Sequence, residues 1–275
     1  MPDISRWSKG ALLCAALFFA PLAKAHEFWV EPLSYEVGVG EKIEGVLRNG
    51  QFFKGSNYPY IERGFTRFEI YNRSGGAPVA GRNGDSPALQ VRAEKGGLHI
   101  AAYASTVQTV NYSEFEKFKS FVDSKGLSHI VDQHREEGLS EEKVIETYYR
   151  YAKTLIKVGS GAGRDVKVGM PIELVAELNP YTSAGADGVR FRLYWRGKPL
   201  ANWDVQVFKK VGDAVEGELT HYTTDSTGRV LIPSDGGGDF LVNAVQITKP
   251  RASDAAKNAQ WESIWASTTY RINTE

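Results

Sequence analysis

The chain has 275 residues, with 33 Lys and Arg against 33 Asp and Glu, and its net charge is zero at pH 7 with histidine neutral. This balance gives no basic surface for nucleic acid or anionic lipid, so neither is a predicted partner. The one cysteine, Cys14, lies near the N-terminus, and the rest of the chain therefore predicts neither a disulfide nor a catalytic thiolate.

Residues 1–25 have the pattern of a secretory signal peptide. Two basic residues precede an apolar run over 11–20, and Ala23 and Ala25 occupy the small-residue positions before a cleavage site. The apolar run is about half the ~20 residues that a spanning helix needs, so we predict no membrane insertion after cleavage. Cleavage after Ala25 makes His26 the first residue of an exported protein, which we place in a Gram-negative periplasm.

Residues 26–112 have the pattern of short antiparallel strands. Apolar and polar residues alternate through the segments 35–47, 65–71 and 98–103, and glycine turns separate them. The same alternation resumes in the second half, where residues 159–275 carry a further set of short strands. Short alternating runs at this spacing predict an antiparallel sandwich in each half.

A change of period at Ser113 predicts helices between the two sandwiches. Ser113 and Glu116 have the spacing of a capping box, and apolar residues then recur at helical spacing. A short segment with His129 and His134 follows, and a longer helix is predicted from Ser140. Its apolar stripe is Val144, Tyr148, Tyr151 and Leu155.

The predicted fold class is therefore mainly β. It consists of two antiparallel β-sandwich domains, Ig-like or transthyretin-like, with a helical insertion between them. The predicted divisions are a signal peptide at 1–25, an N-terminal sandwich at 26–112, the insertion at 113–158 and a C-terminal sandwich at 159–275. We expect the apolar stripes of the insertion to pack against one or both sandwiches.

Several short motifs together resemble the domain-of-unknown-function 4198 family of exported proteins. They run over almost the whole mature length, and their order and spacing are more specific than any one of them. The motifs are His26-Glu-Phe-Trp-Val-Glu-Pro32, Tyr149-Arg-Tyr-Ala-Lys-Thr-Leu-Ile156, Pro171-Ile-Glu-Leu-Val175, Asn179-Pro-Tyr181, Gly197-Lys-Pro-Leu200, Thr224-Asp225 with Gly228-Arg229, and Trp261-Glu-Ser-Ile-Trp-Ala-Ser267. The second half also resembles the transthyretin-like or carboxypeptidase-regulatory-like sandwich.

The resemblance implies an association with metal uptake. Members of the family are described as similar to periplasmic components of nickel or cobalt uptake, which implies a metal ion as ligand and a membrane transporter component as partner. This chain departs from the family pattern at Gln246, where many members carry a histidine. The departure puts in doubt whether a metal site of the family is kept here.

His26 is the strongest candidate metal ligand in the sequence. As a mature N-terminus it offers an α-amine and an imidazole nitrogen, which together can chelate one divalent transition metal. Their reference pKa values are about 7.7–8.0 and 6.5, so both lose their proton near neutrality. Nitrogen donors of this kind suit nickel and, by the general affinity order, copper even more. The alternative is a surface histidine that cleavage happens to expose.

His99 is the second candidate ligand, because its strand face can open near the N-terminus. The alternative is a strand histidine that is hydrogen-bonded at a sheet edge. His129 and His134 are five residues apart, off the spacing that places two ligands on one helix face, and we interpret both as solvated. His221 lies in a predicted strand without a partner that the sequence identifies.

Three function classes remain open after this. The first is a periplasmic binding protein for nickel, cobalt or copper, and the second is a non-catalytic envelope module that docks another protein. The third, a histidine-brace copper oxygenase, needs a second histidine and an open flat face. The sequence contains no nucleophile elbow, zincin motif or Walker loop, so we predict that the protein is not an enzyme.

Overall fold

The structure, a computed structural model, describes residues 26–185, 187–252 and 258–273, and the predicted signal peptide lies outside them. Within these ranges the chain forms eighteen strands and two α-helices. The strands are β1 (Glu27–Pro32), β2 (Glu36–Val37), β3 (Lys42–Gln51), β4 (Lys54–Tyr58), β5 (Phe65–Asn72), β6 (Gly75–Pro78), β7 (Leu89–Arg92), β8 (Gly97–Ser105), β9 (Gln108–Tyr112), β10 (Val144–Val158), β11 (Ile172–Ala176), β12 (Gly188–Trp195), β13 (Lys198–Pro199), β14 (Asp204–Lys210), β15 (Glu218–Thr223), β16 (Arg229–Pro233), β17 (Gly238–Thr248) and β18 (Trp261–Ile272). The helices are α1 (Phe115–Ser124) and α2 (His129–Glu136).

The strands form three sheets. The largest has the order β15-β14-β17-β18-β10-β8-β5-β6, and β2 and β9 also pair with β10. A second sheet has the order β1-β3-β4 with β7 on β3, and a third has β11-β12-β13 with β16 on β12. Most pairs are antiparallel, but β10 runs parallel to β18 and to β2. The predicted fold class, mainly β with antiparallel sheets, is confirmed.

The ten-stranded sheet is a middle layer with a core on each face. On β8, Leu98 and Ile100 pack with the sheet of β11 and β12, whereas Ala101 and Tyr103 pack with the sheet of β1 and β3. This alternation follows from the two-residue period of a strand. The two sandwiches that the sequence predicts therefore share one sheet, in which β8 and β10 contribute to both cores.

The longer helix predicted from Ser140 is wrong, since that segment is β10. Residues 144–158 are rich in Val, Ile, Thr and Tyr, which favour a strand, and Tyr151 and Leu155 pack on one face while Ala152 and Ile156 pack on the other. A strand buried on both faces shows no polar–apolar alternation, and its apolar residues match helical spacing by chance. The predicted domain division stays a prediction. Its helical insertion at 113–158 contains β10, which is an interior strand of the ten-stranded sheet that both cores share.

The helices lie between β9 and β10 and pack as predicted. Phe118 and Val122 of α1 are buried with Ile130 of α2 against Trp261 and Trp265 of β18. The predicted capping box at Ser113 is wrong, because Glu114 is the N-cap and makes no side-chain cap bond. Burial of the aromatic face holds this short helix in place without that cap.

β1 is held to the rest of the molecule by buried polar contacts. Nζ of Lys125, just after α1, lies 2.6 Å from Oε1 of Glu27, and the hydroxyl groups of Ser267 and Thr269 donate to backbone carbonyls of β1. β1 is therefore fixed against β18. In the part of the chain described here, no helix is both long and apolar enough to cross a membrane.

Candidate ligand-binding cleft beside His26

His26 is the residue immediately before β1. Its side chain is exposed, and its carbonyl oxygen accepts a hydrogen bond from Nη2 of Arg150 at 3.1 Å. Partial burial of the ring, together with the positive charge of Arg150, lowers the pKa of the imidazole below its usual range, and the carboxylate of Glu27 opposes this. The ring is therefore neutral at pH 7, the form that binds a metal ion.

His99 is buried on β8, and both of its ring nitrogens have partners. Nδ1 lies 3.2 Å from the carbonyl oxygen of Gly97, and Nε2 lies 3.4 Å from Nδ2 of Asn72. With the hydrogen on Nδ1, the ring donates to Gly97 and accepts from Asn72. Burial lowers the pKa of this imidazole and the bond to Gly97 opposes the shift. The geometry is that of a hydrogen-bonded strand histidine, the alternative that the sequence left open.

The structure does not bring His26 and His99 together. Arg150, which contacts His26, and Ile156, which lies opposite His99, are six residues apart on β10, or about 20 Å along a strand. The guanidinium of Arg150 also turns away from Ile156, toward the ring of Tyr148 at 4.7 Å. Two ligands of one metal ion lie within about 4 Å of each other, so the predicted pairing does not fit this geometry.

The other three histidines differ in exposure. His129 is exposed on α2, as predicted. The prediction that His134 is solvated is wrong, because its ring is buried, accepts a hydrogen bond from Nε1 of Trp261 at 3.0 Å and lies 3.2 Å from the carbonyl oxygen of Ser140. The sequence missed this because the tryptophan is more than a hundred residues away.

His221 pairs with the carboxylate of Asp204 at 2.9 Å across β14 and β15, so it has a partner that the sequence did not identify. Gln246 lies on β17 opposite Ile264, and strand alternation places its side chain on the face of the shared sheet opposite Arg150. Over residues 26–185, 187–252 and 258–273, no group of three or more His, Cys, Asp or Glu side chains is arranged to hold a metal ion.

A cleft of about 420 Å³ opens beside His26, and we call it the Arg150 cleft. Its walls come from six strands of two sheets and from the loop between β4 and β5. The lining residues are Phe28, Leu47, Asn49, Tyr58, Pro59, Ile61, Arg63, Gly64, Tyr103, Ser105, Gln108, Tyr148 and Arg150. Aromatic rings with a few polar groups are the usual lining of a small-molecule site.

Arg150 is the central charge of this cleft. Its guanidinium lies 4.7 Å from the ring centre of Tyr148 and 5.8 Å from that of Phe28. Its backbone N–H donates to Oγ of Ser105 at 3.0 Å, at the point where the pairing register on β10 moves by one residue between β8 and β9. Burial lowers the pKa of the guanidinium, which nevertheless stays charged at neutral pH.

Two polar atoms in the lining have no partner among the described residues. They are Nε of Arg150 and Oδ1 of Asn49, and both are buried. The phenol of Tyr103 donates to the carbonyl oxygen of Gly64 at 3.1 Å, and burial raises its pKa to about 12, so it stays neutral. A buried donor and a buried acceptor of the lining are therefore without a protein partner, beside a phenol that carries no charge.

This cleft was not predicted from the sequence. Its signal was Arg150 itself, a charged residue in the segment 148–151, whose other three residues are tyrosines. A charge inside a buried strand needs a partner or a ligand. Because that run was interpreted as an amphipathic helix, Arg150 fell on its polar face and needed neither.

A search of curated proteins found no match to this chain. Among solved structures, the D0-D1 domain of Intimin is similar at 12% identity over 90% of this chain and 98% of that chain, with a TM-score of 0.21. A score this low supports no conclusion about fold or function, and the architecture above rests on the strand pairing of the chain itself.

The profile of the family "Domain of unknown function (DUF4198)" matches residues 23–248. The match begins just before His26 and covers β10, the helices and most of the strands, so it includes every residue that lines the Arg150 cleft. The resemblance carried by the short motifs is thereby confirmed, and this chain belongs to the DUF4198 family.

Proposed function

We propose that the protein is an exported, periplasmic binding protein for a divalent transition metal, and not an enzyme. The ligand that we assign is His26 as the mature N-terminus, through its α-amine and its imidazole. The family resemblance favours nickel or cobalt as cargo, with a membrane transporter component as partner, and the ligand chemistry favours copper. His99 is left out of this proposal because its two ring nitrogens are hydrogen-bonded far from His26.

One observation carries the proposal. His26 is exposed at the start of the described chain with a ring that is neutral at pH 7, whereas the rings of His99, His134 and His221 are hydrogen-bonded or ion-paired. Nitrogen ligands bind a metal in their unprotonated form, so a ring with a lowered pKa competes less with protons. The two nitrogens of one residue leave the other coordination positions to water or to a small molecule that travels with the metal.

Correct processing is the first test of this proposal. The intact mass of the protein purified from the periplasm should correspond to a chain that begins at His26. A different first residue would remove the free amine from His26 and with it the proposed chelate.

Two variants then test the two nitrogens separately. A protein acetylated at the α-amine of His26 keeps the ring but converts the amine to an amide, and His26→Ala keeps a free amine but lacks the ring. We expect each to bind Ni²⁺ or Cu²⁺ at least about tenfold more weakly than the processed protein, roughly 1.4 kcal/mol each. The control is His129→Ala, which removes another exposed histidine and should bind as the parent does.

The pH dependence separates the amine from the ring. Between about pH 6.5 and 7.5 the amine is protonated and the ring is not, so the Ni²⁺ affinity of the processed protein should fall about tenfold per pH unit on acidification. The acetylated protein should show almost no change over this range. If both variants bind like the parent, His26 is not the ligand and the envelope-docking function takes precedence.

A further inference from the structure

We propose that the Arg150 cleft binds a small organic carboxylate with an aromatic body, through the guanidinium of Arg150. This site does not depend on the metal proposal, because its groups lie in the cleft walls and need neither nitrogen of His26. Three features of the cleft point to this ligand: an uncompensated charge, aromatic walls and a guanidinium that is held in place.

The charge of Arg150 is not compensated by the protein. A guanidinium has five N–H donors, and the described residues accept one hydrogen bond from it, at the carbonyl oxygen of His26. Within the described ranges Arg150 forms no ion pair, and its buried Nε has no partner. The carboxyl group that acts electrostatically on Arg150 is that of Glu146, which accepts hydrogen bonds from Tyr112 and Ser263 instead.

Glu146 is also a poor counter-ion. Burial raises the pKa of its carboxyl to about 7, so a large fraction of it is neutral at physiological pH. A partly buried cation without a counter-ion is unfavourable unless a ligand supplies the charge. A carboxylate matches the planar fork of the guanidinium with two parallel hydrogen bonds.

The walls favour an aromatic body over an aliphatic or purely polar one. Phe28 and Tyr103 pack with ring centroids 4.8 Å apart, and Tyr58 and Tyr148 complete the aromatic lining. Tyr58 is 46% exposed, so its ring lies at the open rim, where a ligand would cover it. Aromatic pairs are favourable beyond the burial of their area, so an aromatic ligand gains from these walls.

The guanidinium is positioned before a ligand arrives. β10 is an interior strand of the shared sheet, and the stacking of Arg150 between Tyr148 and Phe28 restricts its side chain. Less conformational entropy is therefore lost on binding than for a free surface arginine. The β-bulge implied by the register shift beside Ser105 is a common device for aiming a side chain at a site.

The second unpartnered atom, Oδ1 of Asn49, refines the class of ligand. It is a buried acceptor in the same lining, and a rotation of the Asn49 amide toward the cleft would offer this oxygen to a ligand N–H or O–H. An N-acylated aromatic amino acid combines a carboxylate, an N–H and an aromatic ring in one small molecule. N-acetyl-L-phenylalanine is accordingly the probe, and N-acetyl-L-phenylalanine amide is the control ligand that lacks only the charge.

The test is calorimetric titration of the full mature protein, with a chelator present so that no metal contributes. We expect saturable binding of the acid with a dissociation constant of about 1 mM or tighter, and at least tenfold weaker binding of the amide, about 1.4 kcal/mol. Arg150→Gln should weaken the binding of the acid at least tenfold and abolish the difference in affinity between the acid and the amide. The control is Arg196→Gln. The guanidinium of Arg196 also stacks on an aromatic ring, 4.8 Å from the ring centre of Trp195, but it lies outside the cleft, so this variant should bind the acid as the parent does.

Two further variants keep the test decisive if Arg150→Gln does not fold. Tyr58→Ala removes an exposed ring at the rim of the cleft. It should weaken the binding of the acid at least threefold while the thermal unfolding of the protein stays unchanged. His26→Ala keeps the backbone carbonyl that Arg150 contacts and should bind the acid as the parent does. Any one of three results would overturn the proposal. They are equal affinities for the acid and the amide, no saturable binding of the acid up to 10 mM (a binding free energy weaker than about 2.7 kcal/mol at 298 K), and an unchanged affinity for the acid in Arg150→Gln. None of these results bears on metal binding at the N-terminus.

Discussion

Glu146 is a carboxyl group enclosed in the shared sheet, and its surroundings raise its pKa. The side chain is 1% exposed and accepts hydrogen bonds from the hydroxyl groups of Tyr112, at 2.7 Å, and Ser263. Burial raises its pKa from an ordinary 4.5 to about 7, although both hydrogen bonds favour the ionised form. The cost of removing a charge from water therefore exceeds the gain from two donors.

This shift predicts that the stability of the protein depends on pH through Glu146. The folded state binds the proton of Glu146 more tightly than the unfolded state does. The stabilisation that this group contributes to the folded state is therefore complete below about pH 4.5 and is lost as the pH rises through 7. The change is up to about 3 kcal/mol. Glu146→Gln, which is permanently neutral, should show a flatter dependence of the unfolding free energy on pH between 5 and 8.

The matched control for this pH experiment is Glu216→Gln, at a side chain that is 56% exposed in a surface pair with Lys54. It should keep the pH dependence of the parent. An identical pH profile in parent and Glu146→Gln would show that Glu146 ionises in the folded state as it does in the unfolded chain.

Lys153 makes the most enclosed ion pairs of the described chain. Its ammonium lies 2.7 Å from Asp165 and 3.3 Å from Glu173, and all three side chains are at most 2% exposed. Lys153→Met leaves two carboxylates without their counter-ion and should cost about 3–5 kcal/mol of unfolding free energy in urea. Lys54→Met, at the exposed pair with Glu216, should cost less than about 1 kcal/mol. A small loss at Lys153 would mean that the carboxylates take up protons at little cost.

At the level of elements, strands could be predicted from the sequence where one face of the strand meets solvent or where turn residues flank the strand. β5, β12 and β16 follow their alternation, and the β8 residues His99 and Tyr103 share a face as the pattern requires. It failed at β10, which is buried on both faces and therefore lacks the alternation that identifies a strand. The Arg150 cleft was hidden for the same reason, because its charge lies on that strand.

Leu155→Ala tests β10 as a core strand of the shared sheet. Leu155 is fully buried with Ile172 and Phe191 of the facing sheet, so its truncation should lower the unfolding free energy by about 2–5 kcal/mol and the melting temperature by several degrees. Thermal unfolding followed by circular dichroism measures the loss. An unchanged melting temperature would contradict the packing of β10 described above.

Phe118→Ala tests the docking of α1 in the same way. Phe118 is fully buried against Tyr112, His134 and Trp261, so its truncation should cost about 3–5 kcal/mol. Glu116→Ala lies on the exposed side of the same helix and should change stability by less than about 0.5 kcal/mol. Equal effects of the two variants would indicate that the helix is not held by its aromatic face.

At the level of the whole molecule, the sequence predicted two sandwiches, and the structure joins them through one sheet. The joint is the parallel pairing of β10 with β18, between strands that are more than a hundred residues apart. Local sequence patterns carry no information on such a pairing, because the residue pattern of a strand does not depend on which strand lies beside it in the sheet. The position of His26 follows from this joint as well, since β1 is hydrogen-bonded to Ser267 and Thr269 of β18.

The position of β18 also sets an order of events for the nascent chain. β18 is the last strand described, yet it lies in the middle of the largest sheet, between β17 and β10. Until residues 261–272 have been synthesised, β10 and β17 each lack a neighbour, and their unpaired edges are open to aggregation or to a chaperone. The shared sheet therefore stays incomplete until residues 261–272 are available, and a chain that has been synthesised only as far as β17 cannot reach the fold described above.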